Sequence, residues 1–164
     1  MSKNILITFY FYIFDMKLVH NIEMRVFVKP EDNEENIIKT IKQLFPFDFK
    51  KEKIEFISKM IDTFDSRRVK SLTVFTNKER HNKVILKNIF SKLNEEQKEL
   101  LLRQLESRLD ESLHFYIRFD KDKLILDNYH IIDSGHCFWF KFCIASYPHK
   151  REIAINVVKK MLEL

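Results

Sequence analysis

Glycine is nearly absent from this chain of 164 residues, in which Gly135 is the single example. Loops that cradle a nucleotide phosphate need several glycines, because a backbone without Cβ atoms lets successive N–H groups approach the anion. A dinucleotide-binding turn needs three glycines, and the turn that carries the nucleophilic serine of many hydrolases needs two. The sequence therefore excludes nucleotide-dependent enzymes and hydrolases built on those loops.

Cysteine is also scarce, with Cys137 and Cys143 only, and no secretory pattern accompanies them. We therefore expect free thiols in a reducing compartment, the cytoplasm. His136 and His149 flank the two cysteines, but the spacing of these four residues matches no zinc template. No metal and no cofactor are predicted.

Long hydrophobic runs are missing as well. The nearly unbroken apolar run over residues 5–14 is too short to span a bilayer as a helix, so no membrane association is expected. Its aromatic and β-branched content is typical of a strand. A second interpretation, which we favour, is that Met16 is the true start. We accordingly expect one domain over residues 17–164, preceded by an apolar extension over residues 1–16.

Alternation of apolar and polar residues indicates a sheet. In the first strand His20 has the same parity as Ile22 and Met24, which predicts a histidine buried in the core. In the last strand, Phe138, Phe140, Phe142 and Ile144 are predicted to form the core face. Strands are predicted over residues 18–28, 54–61, 69–76, 113–120, 124–132 and 138–144, with the 124–132 strand pairing with the 113–120 strand.

Helical periodicity separates these strands. Asp32 followed by Glu35 predicts the start of a first helix that Pro46 ends. Further helices are predicted over residues 85–93, from Asn94 to Leu109, and from Pro148 to the end of the chain. Strands cluster around helices without strict alternation, which predicts an α+β fold with a largely antiparallel sheet and helices packed mainly on one face.

Positive charge is concentrated in one segment. The chain has a formal net charge of +5, whereas residues 66–92 contain eight basic residues and one acid, a net charge of +7. Such asymmetry is typical of a protein with a polyanionic partner. A solvated charged surface is the alternative. The candidate phosphate-neutralising residues in this segment are Arg67, Arg68, Lys70, Arg80 and Lys83.

A second basic point lies at the start of the last predicted helix, where Lys150 and Arg151 follow Pro148 and His149. Positive side chains there oppose the helix dipole, which is tolerable if the helix start receives an anion. The alternative is that both side chains point into water or pair with Glu152 and its neighbours. The arrangement leaves phosphate binding and simple solvation equally open.

The polar face of the predicted sheet combines aromatic rings with cations, which suits base stacking and phosphate contact. The residues that parity places there are Arg25, Phe27, Tyr116, Arg118, Trp139 and Lys141. The alternative is that this face is covered by the N-terminal strand, a helix or a second copy of the chain. In that case the protein would be a homodimer or an interaction subunit.

No catalytic site is predicted. The six histidines are scattered, without a nucleophile or carboxylate at a suitable spacing. Asp120 and Asp122 resemble the start of a calcium loop, but the glycine and the closing glutamate that such a loop requires are missing. We therefore expect a protein that is not an enzyme.

Several motifs resemble an archaeal RNA-binding family whose members are often described as predicted exosome subunits. The resemblance covers residues 17–164. The motifs are His20-Asn21-Ile22-Glu23, Leu44-Phe45-Pro46, Arg108-Leu109-Asp110, the run over residues 116–121 and the run over residues 147–152. It implies an α+β fold similar to that of a ribosomal protein that contacts ribosomal RNA. It further implies RNA binding without known catalysis, in RNA processing or ribosome biology, with a complex of RNA processing as a further partner.

The same resemblance points to the motif cations Arg118, Lys121, Lys150 and Arg151 as phosphate contacts, with Asp120 as a structural partner of one of them. The chain departs from the family at residues 81–85, where a His-Gly-Asn-Pro-Ile loop is usual and neither glycine nor proline is present. A close backbone approach to a ligand is therefore not expected at that loop. Together with the five cations of the basic segment, these four form the predicted RNA-binding set.

Overall fold

Five antiparallel strands form one sheet in the order β2-β3-β1-β5-β4. The computed structural model describes residues 16–63 and 67–164. Both interpretations of the apolar run over residues 5–14, and the predicted extension up to residue 15, therefore lie outside the described residues. The strands are β1 (Val19–Val28), β2 (Glu55–Asp62), β3 (Arg68–Thr76), β4 (His114–Asp120) and β5 (Cys137–Ile144). The helices are α1 (Glu34–Leu44), α2 (Phe49–Glu52), α3 (Glu79–Phe90), α4 (Glu95–Arg103), α5 (Leu105–Arg108), α6 (Lys121–Ile125) and α7 (Arg151–Met161).

The register of the sheet places the predicted apolar positions side by side. Met24 of β1 is paired with Val74 of β3 on one side and with Phe140 of β5 on the other, and Phe140 is paired with Ile117 of β4. All four side chains are completely buried. Because side chains alternate between the two faces of a sheet, this row fixes one face as the core and leaves the other face for polar residues.

The helices cover the core face. Phe90 of α3 packs against Phe142 with ring centroids 5.8 Å apart, and Phe45 at the end of α1 stacks on Phe140 at 6.4 Å. Helix α7 buries Val158 and its apolar neighbours in the same core. The predicted α+β fold, with helices mainly on one face of an antiparallel sheet, is confirmed. None of the helices in residues 16–63 and 67–164 combines the length and apolar character needed to cross a bilayer.

Helix starts follow local capping chemistry, with one shift from the prediction. The cap of α1 is Asn33 rather than Asp32, since the Asn33 side chain accepts from the Asn36 N–H at 3.1 Å. Helix α4 begins as predicted, with the reciprocal bonds of a capping box between Asn94 and Gln97. Its predicted extension to Leu109 is interrupted at Gln104, and α5 follows as a separate turn.

The predicted strand over residues 124–132 is wrong. The Asp120 carboxylate accepts from the Lys123 N–H at 2.9 Å and starts the short helix α6 at this point. Asp127 then adopts φ of 60°, a left-handed conformation that interrupts an extended chain. Within the described residues, pairing with β4 is reduced to one isolated bridge between Phe119 and Ile131.

Two further predictions are corrected by local geometry. The register of β1 against β5 shifts between Val19 and Asn21, so Val19 is buried and His20 is exposed. His20 is therefore not the core histidine that its parity predicted, because an irregularity in pairing changes the face of the residues before it. Helix α7 begins at Arg151 rather than at Pro148.

Candidate nucleic-acid interface

The open face of the sheet brings cations around a single indole ring. Trp139 of β5 is paired with Arg25 of β1 on one side and with Arg118 of β4 on the other. The Arg25 guanidinium carbon lies 5.3 Å from the Trp139 ring centroid, and Lys141 Nζ lies 5.8 Å from it. The centroids of the Tyr116 and Trp139 rings are 5.7 Å apart. The grouping that strand parity predicted is thus present around Trp139.

The charge of this cluster is only partly compensated. Glu23 forms ion pairs with Arg25 at 2.8 Å and with Lys141 at 2.7 Å, and its side chain is 14% exposed. Arg118 makes no ion pair with any carboxylate in the described part of the chain. Glu23 therefore compensates the charges of Arg25 and Lys141, whereas the Arg118 guanidinium is available to an external anion.

A cleft of about 340 Å³ opens beside Trp139 on this face. Gly135 in its wall has φ of +102°, a left-handed conformation that side chains rarely adopt, which explains why the single glycine of the chain occurs here. Burial raises the pKa of the Cys137 thiol, which stays protonated near neutral pH. The cleft is lined by Arg25, Phe27, Arg118, Lys121, Gly135, His136, Cys137 and Trp139.

A second cleft of about 430 Å³ crosses the other half of the open face, over β1, β3 and β2. Its charged lining residues are two carboxylates, Glu23 and Glu55, and two cations, Arg25 and Lys59. Because these charges balance, this half of the face offers little attraction to a polyanion. The electrostatics favour the half that contains Trp139 and Arg118.

The predicted cations of the basic segment are mostly paired with acids from elsewhere in the chain. Arg67 is exposed directly before β3, and its backbone carbonyl accepts from the Thr63 N–H at 2.8 Å. The segment's net charge is therefore much smaller in space than it is along the sequence. The ion pairs are Arg68 with Asp62 at 3.1 Å, Lys70 with Glu34 at 2.7 Å, Arg80 with Glu52 at 2.5 Å and Lys83 with Glu79 at 2.8 Å.

Lys121, another predicted phosphate contact, is buried beneath the open face. Its ammonium donates to the Asp32 carboxylate and to the Phe27 carbonyl oxygen at 3.3 Å. Asp120, which the resemblance suggested as the partner of a cation, instead caps helix α6. Lys121 therefore joins α6 to the end of β1, and its charge is compensated within the fold.

Lys150 and Arg151 have different environments despite being adjacent. Arg151 donates to the Glu106 carboxylate at 2.8 Å and to the Leu109 carbonyl oxygen at 2.9 Å, which ties the start of α7 to α5. Lys150 is exposed and forms no ion pair with a carboxylate of the described residues. Of this pair, Lys150 alone presents its charge to solvent without compensation.

Metal ligands do not converge in residues 16–63 and 67–164, where no three His, Cys, Asp or Glu side chains are placed to hold an ion. Cys137 and Cys143 are both free thiols on the open face of β5. Their six-residue separation along one strand places them far apart on that face, since each residue advances the strand by about 3.3 Å.

The family model that matches this chain is described as RNA binding, and it matches residues 21–157. The chain belongs to this RNA-binding family. The resemblance recognised in the sequence motifs is thus confirmed. The chain is 24% identical over 144 residues to the RNA-binding protein PAB1135 of Pyrococcus abyssi, with 88% of this chain and 94% of that protein covered.

Solved structures share the fold. The AF2318 protein of Archaeoglobus fulgidus is 26% identical, has a TM-score of 0.75, and is matched over 87% of this chain and 99% of its own. The Mth689 protein of Methanothermobacter thermautotrophicus is 21% identical with a TM-score of 0.69, over 88% and 98% of the two chains. The description of the RNA-binding family names binding and no reaction.

Proposed function

We propose that this chain is a non-catalytic RNA-binding protein of RNA processing or ribosome biology, and that RNA contacts the open face of its sheet. The observation that carries the proposal is the placement of Arg25 and Arg118 on either side of Trp139, with no described carboxylate paired to Arg118. Membership of the RNA-binding family supports RNA as the anionic partner.

Physical chemistry favours this face for two reasons. Cations that neutralise phosphates release condensed counterions, which supplies most of the sequence-independent affinity for a nucleic acid. Aromatic rings beside those cations stack on exposed bases, and an open sheet holds such rings rigidly. Because charge dominates the cluster, we propose recognition of RNA backbone and shape rather than of base edges.

The remaining exposed cations would extend the attraction beyond the sheet face. Exposed ion pairs are worth only about 0–1 kcal/mol, so a cation can exchange its carboxylate for a phosphate at little cost. Lys121 and Arg151 are committed to contacts within the fold, and we assign them to positioning rather than to RNA contact. The outer contacts that we propose are Arg67, Arg68, Lys70, Arg80, Lys83 and Lys150.

The test is fluorescence anisotropy of a labelled RNA hairpin with a single-stranded tail, measured across a salt series. For Arg25→Ala/Arg118→Ala, two lost phosphate contacts should flatten the slope of log affinity against log salt by about 1.4. The control Lys98→Ala/Arg103→Ala removes the same charge from helix α4, whose residues line neither cleft of the open face. We expect the control to leave the slope unchanged.

Other outcomes would redirect the proposal. A slope that flattens only for Arg67→Ala/Arg68→Ala/Lys70→Ala would move the interface to the β2–β3 hairpin. A stable, salt-insensitive dimer that Trp139→Ala disrupts would identify the face as a protein interface. Absence of RNA binding at low salt would overturn the proposed function itself.

A further inference from the structure

We propose that the cleft beside Trp139 receives one unpaired nucleotide of a single-stranded RNA. The base would lie against the Trp139 ring, and its phosphate would contact the Arg118 guanidinium. This inference rests on the proposed RNA binding and names the form of RNA that is recognised. It concerns a cleft that the sequence did not predict, since Gly135 and His136 come from the loop before β5.

The size of the cleft fits a single nucleotide. Its volume of about 340 Å³ lies at the lower end of the range of clefts that enclose small molecules, which is about 300–1,000 Å³. A double helix is too wide to enter such a space and would contact only the rim. An unpaired nucleotide can leave the stack of its neighbours and enter, because single strands expose their bases.

The aromatic lining supplies a stacking surface. Phe27 is 47% exposed at the edge of the cleft, and the Trp139 ring stands on the neighbouring strand. Every base has a π-face, so a ring in this position accepts any of the four bases. A base that entered the cleft would cover part of the exposed Phe27 ring as well as the indole.

The charged residues that line the cleft favour an anionic ligand. Within the described residues, none of the lining side chains is a carboxylate. Glu23 pairs with Arg25 and Asp32 pairs with Lys121, which leaves Arg118 as the lining cation that has no ion pair within the described residues. Because Cys137 is neutral, it adds no negative charge that would oppose a phosphate.

The backbone at Gly135 forms one wall of the cleft. A Cβ atom built on this glycine would have no atom within 4 Å, so the backbone borders open space rather than packed side chains. Next to it, the His136 Nε2 atom lies 2.5 Å from Lys29 Nζ. Lysine is only a donor, so the imidazole accepts through Nε2 in this contact. This hydrogen bond holds the His136 side of the wall against the β1–α1 loop.

The experiment uses Trp139 as its own reporter, because it is the only tryptophan of the chain. An end-labelled oligouridylate and a blunt RNA duplex of equal length are titrated, with label anisotropy and tryptophan fluorescence recorded on the same samples. We expect the single strand to quench Trp139 along the same curve as the anisotropy. The duplex should leave the tryptophan fluorescence unchanged whatever its own affinity.

Thiol alkylation provides a second readout. Cys137 lines the cleft, whereas Cys143 lies six residues further along the same face and outside it. The single strand should slow the alkylation of Cys137 and leave that of Cys143 unchanged. The duplex should protect neither thiol.

Substitution of the ring completes the test. Trp139→Leu should weaken binding of the single strand roughly 5- to 160-fold, the range for the loss of one base–aromatic stack, and should leave duplex binding unchanged. Trp139→Phe keeps an aromatic ring at the same site and should retain most of the affinity. Far-ultraviolet circular dichroism of both variants checks that the sheet is intact.

The failures of the two proposals are distinguishable. Single-strand anisotropy without tryptophan quenching and without Cys137 protection would overturn the nucleotide cleft and leave RNA binding standing. Equal quenching by strand and duplex would also overturn it, since a duplex cannot enter the cleft. No anisotropy change with either RNA would overturn the proposed function, and the inference with it.

Discussion

The ammonium of Lys121 lies against the carboxylate of Asp32, 89 residues earlier in the chain. The same ammonium donates to the Phe27 carbonyl oxygen at the end of β1. Only 3% of Lys121 is exposed. A buried ammonium is tolerated only when its charge and its donors are satisfied, so this pair anchors α6 beneath the proposed interface.

We expect Lys121→Met to destabilise the protein by about 3 kcal/mol, because Asp32 keeps its charge in a largely buried position and loses the ammonium that compensates it. Urea unfolding of the variant and the parent measures the difference. The control is Lys123→Met on the same helix, where the side chain is exposed and the change should stay within about 0.5 kcal/mol. Unchanged stability together with weaker RNA binding would return Lys121 to the set of phosphate contacts.

Acid should remove part of the stability through Asp32. Burial of this carboxyl acts to raise its pKa, but the hydrogen bonds from Lys121 and from the Lys29 backbone N–H outweigh burial and lower the pKa. A lowered folded-state pKa gives stability that is fully present above the unfolded-state value of about 4 and is lost as pH falls through the folded value.

The measurement is the urea midpoint from neutral pH down to about pH 3, for the parent and for Asp32→Asn. The variant should be less stable at neutral pH, and its midpoint should fall less on acidification. It should keep some pH dependence, because hydrogen bonds from His114 and Tyr116 outweigh burial and lower the pKa of Asp110 also. If the urea midpoints of the two proteins fell in parallel as the pH is lowered, a contribution from the Asp32–Lys121 pair would be ruled out.

The strands and the helix faces could be predicted from the sequence because their signals are local. The alternation around Met24, Ile117 and Phe140 has the period of a half-buried strand, and these residues form the buried row across the sheet. The error over residues 124–132 has a local origin too. The Asp120 cap competes with an apolar run that is equally consistent with a strand, and periodicity cannot decide between them.

The candidate site was predictable only in part, because charge along the chain does not report charge in space. Lys70 is compensated by Glu34 and Arg80 by Glu52, and each carboxylate precedes its cation by more than twenty residues. The burial of Lys121 depends equally on a distant residue. Strand parity, by contrast, is local and did place Arg25, Arg118 and Trp139 on one face. It was therefore a better guide to the proposed interface than the count of cations.

Arg151 and Lys150 should respond differently to removal. Arg151→Ala loses the bonds to the Glu106 carboxylate and to the Leu109 carbonyl oxygen, which should cost about 1–2 kcal/mol of unfolding free energy. Lys150→Ala should change that free energy by less than about 0.5 kcal/mol. Chemical denaturation of the two variants checks the contrast. Equal stability of both would show that the contact between α7 and α5 is not part of the stable fold.

The hydroxyl of Tyr116 should titrate only at strongly alkaline pH. Partial burial and the hydrogen bond that it donates to Asp110 Oδ2 at 2.7 Å raise its pKa to about 12. A raised folded-state pKa stabilises the fold below the unfolded value of about 10, and this contribution is lost as pH rises through about 12. Tyr116 therefore stays a neutral neighbour of Trp139 and does not repel a phosphate near neutral pH.

Spectrophotometric titration tests this hydrogen bond. Tyr116→Phe should remove one of the high-pKa tyrosines, and Asp110→Asn should lower the pKa of Tyr116 without returning it to its ordinary value, because burial is the larger cause. Tyr129 is an internal control, since burial and Asp127 raise its pKa to about 12 independently of Asp110. An Asp110→Asn titration curve identical to that of the parent would mean that the carboxylate does not hold the Tyr116 hydroxyl in solution. In that case burial alone would keep the Tyr116 hydroxyl beside Trp139 protonated near neutral pH.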